Sequence, residues 1–163
     1  MIRGNQEKAR IEGPTAPIPG NVDNVSSSAG GVGTLQQEDA MSAVKIEEYQ
    51  AINETVQRYL EGGRTGRGEL MRPAFHADAT IYGYVGPDLF AGPIQGLFDW
   101  NDKNGAAKDV VVNVTILQVV ETVAVVRVEA DNWTGQRYTD FLTLLKVDSR
   151  WKIMQKVFHH HAA

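Results

Sequence analysis

Apolar residues at Ile46, Tyr49, Ile52, Val56, Tyr59 and Leu60 recur at three- and four-residue intervals, which predicts one buried stripe of a long helix. Gly62-Gly63 predicts its left-handed stop. A second, short helix is predicted around residues 69–75 and is cut by Pro73. Residues 79–84 read as a strand, followed by turn chemistry at Gly86-Pro87-Asp88. Gly92-Pro93 then predicts the opening of a third helix, with Ile94, Leu97 and Phe98 on one face. Beyond it the period changes. Residues 110–120, 123–133, 137–147 and 150–159 are long runs rich in β-branched and aromatic side chains, joined by tight turns. Short connections between long strands predict an antiparallel meander. Helices early and strands late make the class α+β, a curved sheet with helices packed on one face.

Residues 1–38 differ in kind, because glycine, proline and serine punctuate only scattered apolar positions. Such a segment buries too little surface to offset its ordering entropy, so it is expected to be a flexible tail, native or appended in cloning. Residues 39–163 are expected to form the single folded domain.

Treating Asp148-Ser149 as a two-residue loop assigns every side chain of the last hairpin to a face. Leu142, Leu144, Trp151, Ile153 and Val157 then share one face with Tyr138, Asp140, Gln155 and His159. Thr139, Phe141, Thr143, Lys152, Met154, Lys156 and Phe158 fall on the other. A Glu121-Thr122 turn likewise groups Leu117, Val119, Ala124, Val126, Val128 and Ala130 against Val112, Val114, Ile116, Val125, Arg127 and Glu129. The first face of each hairpin is expected under the helices. It is apolar near the turns and polar toward Asp140, as a pocket with a dry floor and a few polar groups requires. The half-apolar outer face predicts a homodimer interface.

The composition narrows the chemistry. The chain is 42% hydrophobic and 22% charged, with a net charge of −4 and no basic cluster, which argues against a nucleic-acid partner. No cysteine is present, so disulfides, thiolate metal sites and a cysteine nucleophile are excluded. No apolar run approaches the length of a membrane span, and a cytoplasmic protein with no membrane partner is expected.

The segments Phe75-His76-Ala77-Asp78-Ala79, Tyr138-Thr139-Asp140-Phe141-Leu142-Thr143-Leu144 and Trp151-Lys152-Ile153-Met154, in this order of elements, resemble the nuclear transport factor 2-like superfamily. Within it they look most like the "putative lumazine-binding" branch. The resemblance spans about residues 44–159. It implies a cone-shaped α+β barrel with three helices on the concave face of the sheet, usually dimeric, with a pocket between sheet and helices. Members include ketosteroid isomerases, scytalone dehydratases, polyketide cyclases and epoxide hydrolases, beside non-catalytic binding domains. The isomerases' acid-acid-tyrosine set has no residue-by-residue match here.

Asp140 is the first candidate for function. A carboxylate in an apolar cavity has its charged form disfavoured and becomes a competent general base. Its bland role is to hold the sheet by hydrogen bonds to neighbours. Tyr138 is a candidate oxyanion donor, and His159 a proton shuttle. Tyr59, Tyr82, Tyr84, Phe90, Trp100, Leu142 and Gln155 are expected to line the substrate pocket. His76-Ala77-Asp78 has no companion at metal-ligand spacing and reads as turn chemistry, so no metal and no cofactor are invoked. Gly83, Gly86 and Gly92 lack the context of a phosphate loop.

Two functions compete. One is an enzyme, an isomerase, dehydratase or elimination-type lyase, in which Asp140 abstracts a proton from a small, largely apolar substrate. The other is a non-catalytic ligand-binding or dimerisation module. A cavity-facing Asp140 favours the first; an outward or backbone-capped Asp140 favours the second.

Overall fold

The computed structural model describes residues 44–162, and the tail expected at residues 1–38 lies outside them. Helix α1 (Ile46–Thr65) is followed by α2 (Gly68–Met71), a single 3-10 turn (Arg72–Ala74), β1 (Phe75–Val85) and β2 (Asp88–Pro93). Then come α3 (Gln95–Asn104), β3 (Val111–Val120), β4 (Val123–Trp133), β5 (Gln136–Val147) and β6 (Arg150–His161). Six strands form one curved, unclosed sheet in the order β2-β1-β6-β5-β4-β3. Strands β1 and β6 pair in parallel and every other neighbour is antiparallel. The three helices pack on the concave face, giving the α+β cone.

Helix α1 does not stop at Gly62-Gly63. It runs on to Thr65 and ends at Gly66, whose left-handed φ of 68° lets its N–H reach back to the last carbonyls. The two earlier glycines serve packing instead. A Cβ on Gly63 would lie 2.2 Å from Trp133 Cζ2, and one on Gly62 would lie 2.3 Å from Met71 Cγ. Bare backbone is what lets α1 approach β4 and α2 so closely. Segment Asp88–Pro93, read as a turn and a helix start, is instead strand β2, and α3 begins two residues after Pro93. Its pairing with β1 supplies the hydrogen bonds that decide the matter.

The apolar stripe of α1 packs onto the sheet through Ile52, Val56, Tyr59 and Leu60, all buried, whereas Ile46, placed in the stripe by its spacing, is 66% exposed in the first turn. At the end near the β5–β6 turn, Glu48 accepts hydrogen bonds from Trp151 Nε1 at 2.8 Å and Lys146 Nζ at 2.5 Å. These bonds hold the Glu48 carboxyl below its ordinary range. Asn101 of α3 donates to the Gly62 carbonyl at 3.0 Å, which ties α3 to α1.

Both hairpins start in the expected register and then lose it. The tight turn is present, with Asp148 and Ser149 at φ 48° and 62°. Leu144 pairs with Ile153, but Thr143 pairs with Gln155, so Met154 is an extra residue, a β-bulge. Beyond it every β6 side chain is on the opposite face from the one expected. Lys156 and Phe158 turn inward, while Gln155, Val157 and His159 turn outward. A second irregularity at Leu117 does the same to β3. Val112, Val114 and Ile116 pack against the core, and Leu117 is exposed. The β4 face of Ala124, Val126, Val128 and Ala130 is buried as expected.

Candidate functional site

Two rows of side chains cross the concave face. The first runs Ile81, Lys156, Leu142, Val126, Ile116 through β1, β6, β5, β4 and β3. The second, one step along, runs Gly83, Phe158, Asp140, Val128, Val114. Each row is apolar except for one ionisable residue, and the two ionisable residues are diagonal neighbours. Gly83 is required here, because a Cβ would meet the Phe158 ring at 2.5 Å.

From above, α1 lowers Tyr59 onto this pair. The Tyr59 hydroxyl donates to Asp140 Oδ2 at 2.7 Å, and Lys156 Nζ donates to the Tyr59 hydroxyl at 3.1 Å. Lys156 also forms an ion pair with Asp140 Oδ1. The three residues close a ring of polar contacts and are 1%, 1% and 5% exposed for Tyr59, Asp140 and Lys156. Aromatic rings enclose it. Tyr59 stacks on Trp133 with centroids 5.6 Å apart and meets Phe75 edge-on at 5.7 Å. Lys156 Nζ lies 5.3 Å from the ring centres of both Tyr59 and Phe158.

Burial sets the proton affinities. It pushes the Lys156 ammonium down from its ordinary value, with Asp140 pulling the other way. The Tyr59 phenol is pushed well up by burial and then by the Asp140 charge and hydrogen bond. Tyr138 is raised too, by burial first and Asp140 second. Both tyrosines therefore stay protonated donors at neutral pH.

This cluster forms one wall of a cavity between sheet and helices. Ile81, Val85 and Phe90 line it from β1 and β2, Leu97 and Trp100 from α3, and Trp133 and Tyr138 from the far ends of β4 and β5. Its volume is about 50 Å³ by a measure in which one water needs roughly 10–15 Å³. The lining is mostly apolar, with the polar cluster confined to one wall.

Of the residues chosen from sequence, Tyr59, Phe90, Trp100, Tyr138 and Asp140 line the cavity. Leu142 is fully buried in the floor opposite Lys156, in the core rather than at the cavity surface. Four placements are corrected. Gln155 and His159 lie on the outer face because the Met154 bulge reverses β6, and His159 pairs across from Thr139. Tyr82 and Tyr84 are 41% and 59% exposed, because Ile81 and Gly83 are the inward positions of β1. His76 and Asp78 contact each other at the irregular start of β1, where the Asp78 N–H donates to His76 Nδ1 at 3.2 Å. Among the described residues no group of three or more potential metal ligands converges.

Ile81, Val85, Leu97, Trp133 and Phe158 line the cavity without having been chosen from sequence, and Lys156 is the one ionisable lining residue the sequence reading missed. A polar side chain flanked by Gln155 and Val157 reads as solvent-facing, and only the bulge turns it inward. No helix among the described residues is long and apolar enough to cross a membrane.

Comparison with known proteins gives the same architecture. The family model described as "Putative lumazine-binding" matches residues 47–159. A nuclear transport factor 2-like protein of unknown function from Methylobacillus flagellatus KT is 47% identical, superposes with a TM-score of 0.72, and is matched over 74% of this chain and 97% of its own. A second such protein, from Shewanella baltica OS155, is 39% identical with a TM-score of 0.69, over 72% and 97% of the two chains. Aldolase FrzH from Cladobotryum sp is 33% identical over 115 residues, 70% of this chain and 92% of that protein. The chain thus belongs to the "Putative lumazine-binding" family, within the nuclear transport factor 2-like superfamily.

Proposed function

We propose that this protein is a cofactor-independent enzyme that transfers protons at a carbon next to a carbonyl group in a small, largely apolar molecule. Isomerisation, dehydration and aldol-type addition or cleavage all pass through that step. The observation that carries the reading is the linked Tyr59–Asp140–Lys156 cluster in the wall of an otherwise apolar cavity. Asp140 takes the proton from the carbon acid, which leaves an enolate. Tyr138, held as a phenol, donates to the enolate oxygen, and the Lys156 charge offsets the charge that develops. Low polarity strengthens each of these interactions. The relative named an aldolase supports an enzymatic role in a chain of this family.

A screen of carbon acids and benzisoxazole-type proton-abstraction substrates tests the reading. Wild type is expected to outpace Asp140→Asn by a factor of about a hundred or more, the usual contribution of a positioned base. Equal rates would remove Asp140 as the base. One observation favours the competing reading, a binding module: both Asp140 oxygens are engaged by side chains, as in a structural network. Saturable binding of a small apolar ligand with no turnover by any variant would select that reading.

A further inference from the structure

We infer that Lys156 Nζ is a nucleophile, forming a Schiff base with a small aldehyde or ketone that enters the cavity. The inference rests on the proton-transfer reading above and adds both the substrate class, a carbonyl compound, and a covalent intermediate. Among the residues lining the cavity Lys156 is the sole lysine, and Nζ lies over the Tyr59 ring and over the Phe158 ring, 5.3 Å from each centre. A carbonyl compound lying along those rings presents its carbonyl carbon to the amine. The Met154 bulge is what delivers this residue, since an unbroken ladder would send Lys156 out to solvent.

The neighbours suit each proton transfer. Asp140 Oδ1 touches Nζ and can receive the ammonium proton, turning an ion pair into a neutral amine and carboxylic acid. That exchange leaves the net charge of the buried cluster unchanged. Desolvation, which already pushes the Lys156 ammonium down, favours it. The amine lone pair forms the C–N bond, and the carbonyl oxygen takes up the amine's proton, giving a carbinolamine. Asp140 then returns its proton to the hydroxyl, the C–O bond breaks, and water leaves. What remains is an iminium cation opposite the Asp140 carboxylate, in place of the original ammonium. Overall, one carbonyl and one ammonium become one iminium and one water. The iminium acidifies the adjacent C–H bond, and Asp140 stands beside it to take that proton.

The test is reductive trapping of the full chain with cyclohexanone and sodium cyanoborohydride at neutral pH, read by intact mass and peptide mapping. Deuterium exchange into the ketone's α-carbons is measured in parallel. A secondary amine is expected at Lys156 ahead of the surface lysines, because burial pushes its ammonium down and frees the amine more readily. Lys156→Arg keeps a cation for Asp140 but cannot form the adduct, and should lose it. Folded wild type with adducts only at other lysines would overturn the inference. If exchange still depended on Asp140 in that case, the carboxylate base would stand without the Schiff base. An adduct at Lys156 with exchange no faster than in Asp140→Asn would support the nucleophile and remove the base.

Discussion

Lys156 sits opposite Leu142 on the concave face of the sheet, one place away from where an unbroken β5–β6 ladder would set it. The consequence is an ammonium in an apolar row, paired with the carboxylate of the next row. A buried ion pair is sustained by mutual attraction and added hydrogen bonds, and loses heavily when only one partner is removed.

Asp140→Asn should therefore destabilise the fold by roughly 3–5 kcal/mol, and adding Lys156→Met should restore much of it. Urea denaturation of the two single variants and the double variant checks this. Strict additivity would show that the pair is not coupled. The sign with pH also follows. Without Asp140, the folded Lys156 ammonium lies still further below its ordinary 10.5, so the unfolded chain binds more protons. The stability of Asp140→Asn should rise as pH increases between the folded value and 10.5.

Gly63→Ala tests the approach of α1 to β4. The added methyl would meet Trp133, which lines the cavity and stacks on Tyr59, so overpacking is expected to cost about 1–3 kcal/mol. Near-ultraviolet circular dichroism should change with it. An unchanged urea midpoint and spectrum would mean that the ring has room to move.

Glu48 predicts an acid-sensitive clamp. Its folded carboxyl is held below the ordinary 4.5 by Lys146 and Trp151, so its contribution is complete above 4.5 and fades as pH falls through the folded value. Glu48→Gln should be less stable than wild type near neutral pH, and the gap in urea midpoints should narrow as pH falls below 4.5. A constant gap would show that the charge is not what matters.

On the outer face, Tyr82, Val157 and Phe141 form a continuous row across β1, β6 and β5, and are 41%, 42% and 45% exposed. We propose that a second copy of the chain covers this row. Sedimentation should show a dimer at micromolar concentration, and Phe141→Lys should weaken it by tenfold or more, as roughly 1.4 kcal/mol suffices for that. A monomeric wild type would refute the interface.

The α1 stripe from Ile52 to Leu60, the four long strands, the inward side of Trp151 and the inward face of β4 were legible in the sequence, because each depends on local period and on which side chains leave water. The sequence also singled out Asp140 and Tyr138. It could not show the pairing that surrounds Asp140. From Ile153 to His159 either register leaves an apolar residue on each face, Val157 on one and Phe158 on the other, so the pattern does not choose. The choice is made across strands, where the Met154 bulge sets Lys156 beside Asp140 and sends His159 outward. Gly62 and Gly63 teach the same lesson: locally they are helix breakers, and only Met71 and Trp133 packed against them show why the helix continues. Period along the chain determined the elements; contacts between residues far apart in sequence decided which side chains share the cavity.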